Sequence, residues 1–590
     1  MHSQKDERAS GTQFSCTQCR VKKLRCDRIR PQCGRCARLG DSCDYPQSRR
    51  ANVGRSKRVR ELEAKLDELE SLARPANPSS RMENTQDVHT TNQSKGMVSD
   101  IFPFPSVSTE PAPDPNPPDV DASFAEIMSM GMFEQQPSPE TNSYFDKWHH
   151  TAPMLQRSRY MMSLSLPPHM RPPMCLQYIV IAMGAEIINS HRQLAVPFYQ
   201  RARAYAEADE MRGDGNSSVT LAHAQSWCLM AYFESQYLFF AQSSMSLCRA
   251  IRVAQMLGIH RVDGYSTEAM PLLPPPEDWS EAEERRRTWW VIYCSDRLVS
   301  GTTGWPVIIN DQDISTRLPA SDTAFDSGVE EDASPLTSTA HKEGQNFSSF
   351  AGRVLAASLF QRAYQHSTRT PPQGDPIDPR TSMHWKRHRE IDSDLVLLLQ
   401  ALPDELRLPR RVHCGNAVFV NIIIHTAVIC LHRAALSRMI SYGLSEHMVR
   451  HSKARLACAA EEILAIFRMM PDINEKLKNP ILTFAVYMTS LVFLNDLDST
   501  EEDYLRQDNL DFILRTISLA AKTMNNPVTG SMAVQLAMDM RQRGLDSAAV
   551  EKATEIPLSR SLIPIFAKGD TRSSNFVFQL PSTGETQEQT

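Results

Sequence analysis

The sequence predicts a mostly α protein in which a small cysteine-bound module precedes a large all-α body. Three observations carry this. Six cysteines fall between residues 16 and 43 with the spacing C-x2-C-x6-C-x6-C-x2-C-x6-C. From about residue 144 to residue 568, apolar residues recur at intervals of three and four, the helical period. The stretch between these regions is rich in Pro, Ser, Asn and Thr and has no such period. At 590 residues and 41% hydrophobic, the chain is long enough for more than one domain and a large core.

The cysteines repeat as two halves offset by 17 residues: Cys16, Cys19 and Cys26, then Cys33, Cys36 and Cys43. A C-x2-C turn lets two thiolates face one metal. Each half supplies three thiolates, whereas tetrahedral Zn²⁺ takes four. If one cysteine of each half bridges, six sulfurs make eight bonds, enough for two zinc ions. Metal binding would then supply folding energy that so short a segment cannot draw from a core. Three disulfides would suit a secreted domain, but the N-terminal residues contain no apolar signal run.

Residues 16–60 hold 14 lysines and arginines against three acids, Asp27, Asp41 and Asp44. Two Zn²⁺ and six thiolates would leave this segment at about +9. The whole chain carries −5, so the remainder is strongly acidic. A basic module on an acidic body is the electrostatic pattern of a nucleic-acid binder.

The run Cys16-Thr-Gln-Cys19-Arg20-Val-Lys22-Lys23-Leu-Arg25-Cys26-Asp27, followed by Pro31, resembles the fungal zinc binuclear cluster transcription factors. The resemblance implies that Cys16 and Cys33 bridge the two zinc ions. It also implies that a short helix enters the major groove of a CGG triplet, with Lys22 and Lys23 contacting the bases. Lysine to guanine O6/N7 is chemically sound. Arg20, Arg25, Arg49 and Arg50 would then contact phosphates, which position without specifying.

The remaining elements follow in order. Residues 1–15 are polar and expected to be disordered, residues 16–43 form the zinc module, and 44–58 form a basic linker. Val59, Leu62, Leu66 and Leu69 then take a and d positions of a short coiled coil over 59–73. In the family this element pairs two clusters over two half-sites, so a homodimer is expected. Residues 74–143 form a Pro-rich, disordered segment. From Met97 to Asp146 there is no Lys or Arg against nine acids, with aromatic residues interspersed, a composition shared by activation segments and plain linkers. Residues 144–568 form the all-α domain, and 569–590 a polar tail expected to be disordered.

Within the all-α domain two stretches resemble the fungal-specific regulatory domain of the same family. One is Cys248–Arg261, containing Leu257-Gly258-Ile259-His260-Arg261. The other runs from Arg286 through Trp289-Trp290, Asp296-Arg297 and Gly304-Trp305-Pro306 to Leu318-Pro319. The family usually has Arg where Trp305 stands. Trp289, Trp290 and Trp305 either wall a groove for a small-molecule effector or belong equally well to the core. Ala417–Leu431 is the most apolar run. It is shorter than a membrane span and contains Asn421, His425 and Thr426, so it is expected to be a central buried helix, with no membrane partner.

His149-His150 reads as a solvated loop pair, His260 as a packed cap and Asp296–Arg297 as a structural ion pair. The seven other cysteines show no chelating spacing. No G-x-S-x-G, H-E-x-x-H or P-loop is present, so nothing favours an enzyme. The expected function is a nuclear, zinc-dependent transcription factor of the RNA polymerase II type. Its partners would be double-stranded CGG-bearing DNA, a second copy and the transcription machinery. The alternative is a zinc-stabilised module that binds nucleic acid or acidic partners without reading sequence. The Lys22-Lys23 pair, set in register with the cluster, favours the first.

Overall fold

The computed structural model describes residues 15–45 and 138–556, with short breaks of which the longest are 265–272, 337–346 and 496–502. The expected coiled coil at 59–73, with Val59, Leu62, Leu66 and Leu69, lies outside the described residues. So do Lys23, Arg49 and Arg50, nearly all of the linker and acidic segment, and both chain ends. The chain divides into two units, one holding the cysteine module and one holding the helical body.

The cysteine module contains two short helices, α1 (Thr17–Val21) and α2 (Gly34–Leu39). Each begins immediately after the first cysteine of a C-x2-C pair, so the two sulfurs of each pair sit at a helix start. The Cys33 sulfur caps α2 by accepting the Cys36 N–H, and Gly40 closes that helix in the left-handed region at φ 69°. The module's interior consists of Cys16, Cys19, Cys33 and Cys36, with Cys26, Cys43 and Tyr45 against them.

Among the described residues the body has no strand beyond one isolated bridge, Arg317 to Pro335. Folding starts earlier than the apolar period suggests. Ser138 caps α3 (Pro139–Ser143), and Glu140 and Thr141 are buried, so the end of the segment expected to lack structure belongs to the body. The chain then forms α4 (Arg157–Leu164), α5 (Met174–Ala185), α6 (Ala195–Glu210), α7 (Leu221–Gln236) and α8 (Phe240–Met256). Next come α9 (Trp279–Thr303), α10 (Asp322–Ser327), α11 (Ser349–Thr368), α12 (Met383–Gln400), α13 (Gly415–Ser441) and α14 (Glu446–Met469). The body closes with α15 (Pro480–Asn495), α16 (Asp503–Met524), α17 (Pro527–Gln542) and α18 (Ala548–Thr554). Side-chain caps start many of these helices: Thr220 for α7, Asp278 for α9, Ser348 for α11 and Ser382 for α12.

Helix α13 is the centre of the body. It packs between α11 and α14, with α15 and α12 also against it. It is long and apolar enough to cross a membrane by length and composition, but 83% of its most apolar window is buried inside the body. Asn421 within it is satisfied by the Leu406 and Ala417 carbonyls at 2.8 Å each. This is the buried central helix expected from Ala417–Leu431.

Candidate metal centre and nucleic-acid interface

The six cysteines converge as two groups of four, Cys16/Cys19/Cys26/Cys33 and Cys16/Cys33/Cys36/Cys43. The two groups share Cys16 and Cys33. Sulfur separations are 3.8 Å for Cys16–Cys33, 3.7 Å for Cys16–Cys36 and 3.8 Å for Cys19–Cys33. Thiolates held 2.3 Å from a tetrahedral zinc lie about 3.8 Å apart, so the donor set fits two zinc ions with two bridging sulfurs. None of the six is in a disulfide.

Backbone amides supply the outer support. The Cys19, Cys36 and Cys33 N–H groups donate to the sulfurs of Cys16, Cys33 and Cys43 at 3.5, 3.4 and 3.2 Å. The Cys36 N–H is the main reason that the Cys33 thiol is held low, at about 6. Such donors stabilise the thiolate form that a metal binds.

Three further residues hold the loops. The Asp27 carboxylate accepts the Gly34 N–H at 2.8 Å, and a Cβ on Gly34 would lie 2.6 Å from that oxygen. Thr17 joins the two ends of the module by donating its N–H and hydroxyl to the Asp44 carbonyl at 2.8 and 2.9 Å. Tyr45 donates to the Ile29 carbonyl at 2.8 Å, under the Arg30 guanidinium. In the sequence Asp27 and Asp44 count as charges and as part of the repeated pattern, with no loop contact assigned to them. Their recurrence after the third cysteine of each half was the available signal.

Lys22 follows α1 directly and is exposed, as is Arg25. Arg20 lies within α1, but its side chain is outside the described residues. The exposed Arg28, Arg30 and Arg38 extend the cationic surface of the module.

In the body, the Arg286–Pro319 stretch proves to be a clamp. The Asp296 carboxylate accepts the Ile308 and Ile309 N–H groups at 3.1 Å each. Arg297 donates to Asp296 at 3.1 Å, to the Ile309 carbonyl at 2.8 Å and to Asp311 at 2.5 Å. Trp290 donates to the Arg317 carbonyl at 2.6 Å, and Arg286 grips Asp263 with two bonds at 2.7 and 3.0 Å. Together these fold the 304–320 segment back onto α9. Asp296–Arg297 is thus the structural ion pair expected, with both side chains buried.

The structure decides between the two readings of the tryptophans and corrects that of His149. Trp289 and Trp290 do not line a groove. Both are fully buried in the core, and only Trp305 of the three faces an open space. His149 is not a solvated loop residue. It packs on Tyr144 and Phe145, and burial pulls its pKa down to about 4. His260 is packed as expected, 5.6 Å from the Trp289 ring, with its carbonyl accepting the Ser315 and Thr316 N–H groups. Among the other cysteines, folding brings Cys175 beside Asp209 and His223, which no spacing revealed. Both His223 nitrogens are already engaged, by Thr220 at 2.8 Å and Asp209 at 3.2 Å.

Residues 14–52 match the fungal Zn(2)-Cys(6) binuclear cluster domain, and residues 141–367 match the fungal specific transcription factor domain. The chain thus carries both domains found in the fungal Zn(2)-Cys(6) transcription factors. This Zn(2)-Cys(6) factor is 28% identical to the citrinin biosynthesis transcriptional activator mrl3 of Monascus ruber over 495 residues, 78% of this chain and 93% of that protein. It is 26% identical to the pigment biosynthesis transcriptional activator pigB of Monascus ruber, over 87% of this chain and 93% of that one. It is 24% identical to the sorbicillinoid biosynthetic cluster transcription factor 1 of Penicillium rubens, over 81% and 85%. No solved structure matches it. The two domain matches and the relatives indicate a DNA-binding transcription regulator rather than an enzyme, with two zinc ions held by the six cysteines as its cofactors.

Proposed function

We propose that this Zn(2)-Cys(6) factor acts in the nucleus as the sequence-specific regulator of one biosynthetic gene cluster, reading CGG-type half-sites as a homodimer. The observation that carries the reading is the pair of four-sulfur groups sharing Cys16 and Cys33, with α1 and the exposed Lys22 beside them. In this reading Lys22 and Lys23 contact guanines, while Arg20, Arg25, Arg49 and Arg50 contact phosphates. Val59, Leu62, Leu66 and Leu69 join two copies. Residues 16–43 are the DNA-binding domain, 44–58 the linker and 59–73 the dimer helix. Residues 74–143 supply the contact with the transcription machinery, and the helical body tunes that output through a small-molecule effector. The names of the relatives, all given as regulators of a biosynthetic pathway or gene cluster, support the choice of target.

Fluorescence anisotropy with CGG and scrambled duplexes over a salt series tests the reading. Lys23→Ala should narrow the gap between the two duplexes by about 1–3 kcal/mol. Arg50→Ala should weaken both equally and flatten the salt dependence. Identical behaviour of the two variants would contradict the division into base and phosphate contacts.

A further inference from the structure

The body contains a cavity of about 260 Å³, close to the lower end of the range for small-molecule sites. Its walls are mainly apolar, with Trp148, Tyr232, Leu298, Phe419 and Phe484 among them and Trp305 at its edge. Trp305 is 43% exposed, a large side chain left partly open beside an apolar space.

One wall residue is out of keeping with the rest. Arg353, on α11, is 7% exposed and lines the cavity. Its guanidinium donates to the Thr151 carbonyl at 2.6 Å, the His150 carbonyl at 3.2 Å and the Asn416 side-chain oxygen at 2.7 Å. All three acceptors are neutral. Arg286, Arg287 and Arg297, also in the body, each face a carboxylate within 3.1 Å. Arg353 has no acidic partner at ion-pair distance among the described residues. Its charge is desolvated and offset only from a distance by Asp322, which is itself bonded to Arg287, so an anion joining it would lower the cost of burial. The Phe419 ring lies 5.1 Å from the guanidinium, so arginine and an aromatic wall meet at the same corner of the cavity.

We propose that this cavity is a receptor site for a small, ring-bearing, singly anionic molecule, its apolar rings against the Trp148–Phe419 walls and its carboxylate or enolate against Arg353. The apolar walls select for size and hydrophobicity, and Arg353 selects for charge. A neutral molecule of the same shape leaves the guanidinium unpaired and binds less well. The site names the effector class in the regulatory reading of the body and rests on that reading for its biological role, but its occupancy does not depend on DNA recognition.

The test uses the full zinc-loaded chain without DNA. Calorimetry compares 2-naphthoate with 2-naphthalenemethanol, which has the same rings and no charge. Naphthoate should bind at a one-to-one ratio and at least tenfold more tightly than the alcohol. Val299→Trp, at a half-buried position on the cavity wall, should abolish binding while leaving the thermal melt of the body in place. Arg353→Met should bring the two affinities together. If that variant fails to fold, the comparison of the two probes on the wild-type chain still decides. Equal affinities, no naphthoate binding at 1 mM, or binding that survives Val299→Trp overturns the proposal. Failure of the DNA-recognition reading would show separately, as equal affinity of the chain for CGG and scrambled duplex.

Discussion

The two units of this chain are held together by opposite means. The cysteine module has four buried sulfurs where a core would be, and two helices of five and six residues. The body has a large apolar cluster running from Tyr144 to Ala553, with a small second one at Trp385, Ala435 and Met439. A module of the first kind folds when metal binds, and a body of the second kind folds because apolar surface leaves water. One chain therefore contains two stabilities that answer to different variables, and each can be broken without the other.

Metal removal should have the largest effect. A structural zinc contributes about 10–16 kcal/mol near pH 7, more than any side-chain contact in the module offers. Chelation, or Cys33→Ser, should abolish DNA binding entirely. All seven tryptophans lie in the body, between Trp148 and Trp385, so tryptophan emission should be unchanged by the same treatment. A shift in that emission on chelation would mean that the two units are not independent.

The reverse break comes from Arg297→Ala. It leaves the Asp296 carboxylate buried without its cation, at a cost of about 3–5 kcal/mol. Urea denaturation followed by tryptophan emission should show the loss, while zinc content stays at two per chain.

Acid should act on the body more gradually. His366 stacks on His384 and lies tilted against His388, all three buried along α11 and α12, with Arg438 against His384 and His432 against His388. Burial, then neighbouring positive charge, pulls them to about 3, 4 and 3. Their folded values lie below the unfolded value near 6.5, so the unfolded chain binds protons first as pH falls. The stability they contribute is complete above pH 6.5 and is lost progressively between pH 6.5 and about 3. At pH 5 each histidine should account for up to about 2 kcal/mol. His388→Phe should lessen the slope between pH 6.5 and 5, and an unaltered slope would remove that residue from the account.

The module was far more legible in the sequence than the cavity. Metal ligation is local: the C-x2-C-x6-C spacing shows two three-sulfur halves that must share ligands, and the resemblance to the family implies Cys16 and Cys33 as the shared ones. The cavity is not local: Trp148, Leu298, Arg353, Phe419 and Phe484 lie on elements spread over more than 330 residues. The misplaced tryptophans show a second reason. Adjacent residues on a helix point about 100° apart, so Trp289 and Trp290 do not share a face with the cavity wall. That wall is Val291, Cys294, Ser295, Leu298 and Thr302, a run at helical spacing. Following the phase of α9, instead of grouping its aromatics, would have separated the two. The solvated reading of His149 failed because residues 144–151 form helical turns in place of a loop, which set His149 one turn from Phe145.

The central position of α13 has a consequence for how the chain is made. On the ribosome, α13 emerges before α14 and α15, two of the helices that cover it. The 54 residues from Tyr442 to Asn495 take roughly 3–11 s to synthesise at ordinary elongation rates. During that interval the nascent chain displays a helix with the hydropathy of a membrane span and no finished sheath around it. A chain halted after Ser441 should pellet or adhere to lipid vesicles, whereas one extended through Asn495 should stay in the supernatant. The same helix that anchors the finished body makes the half-made chain a client for chaperones.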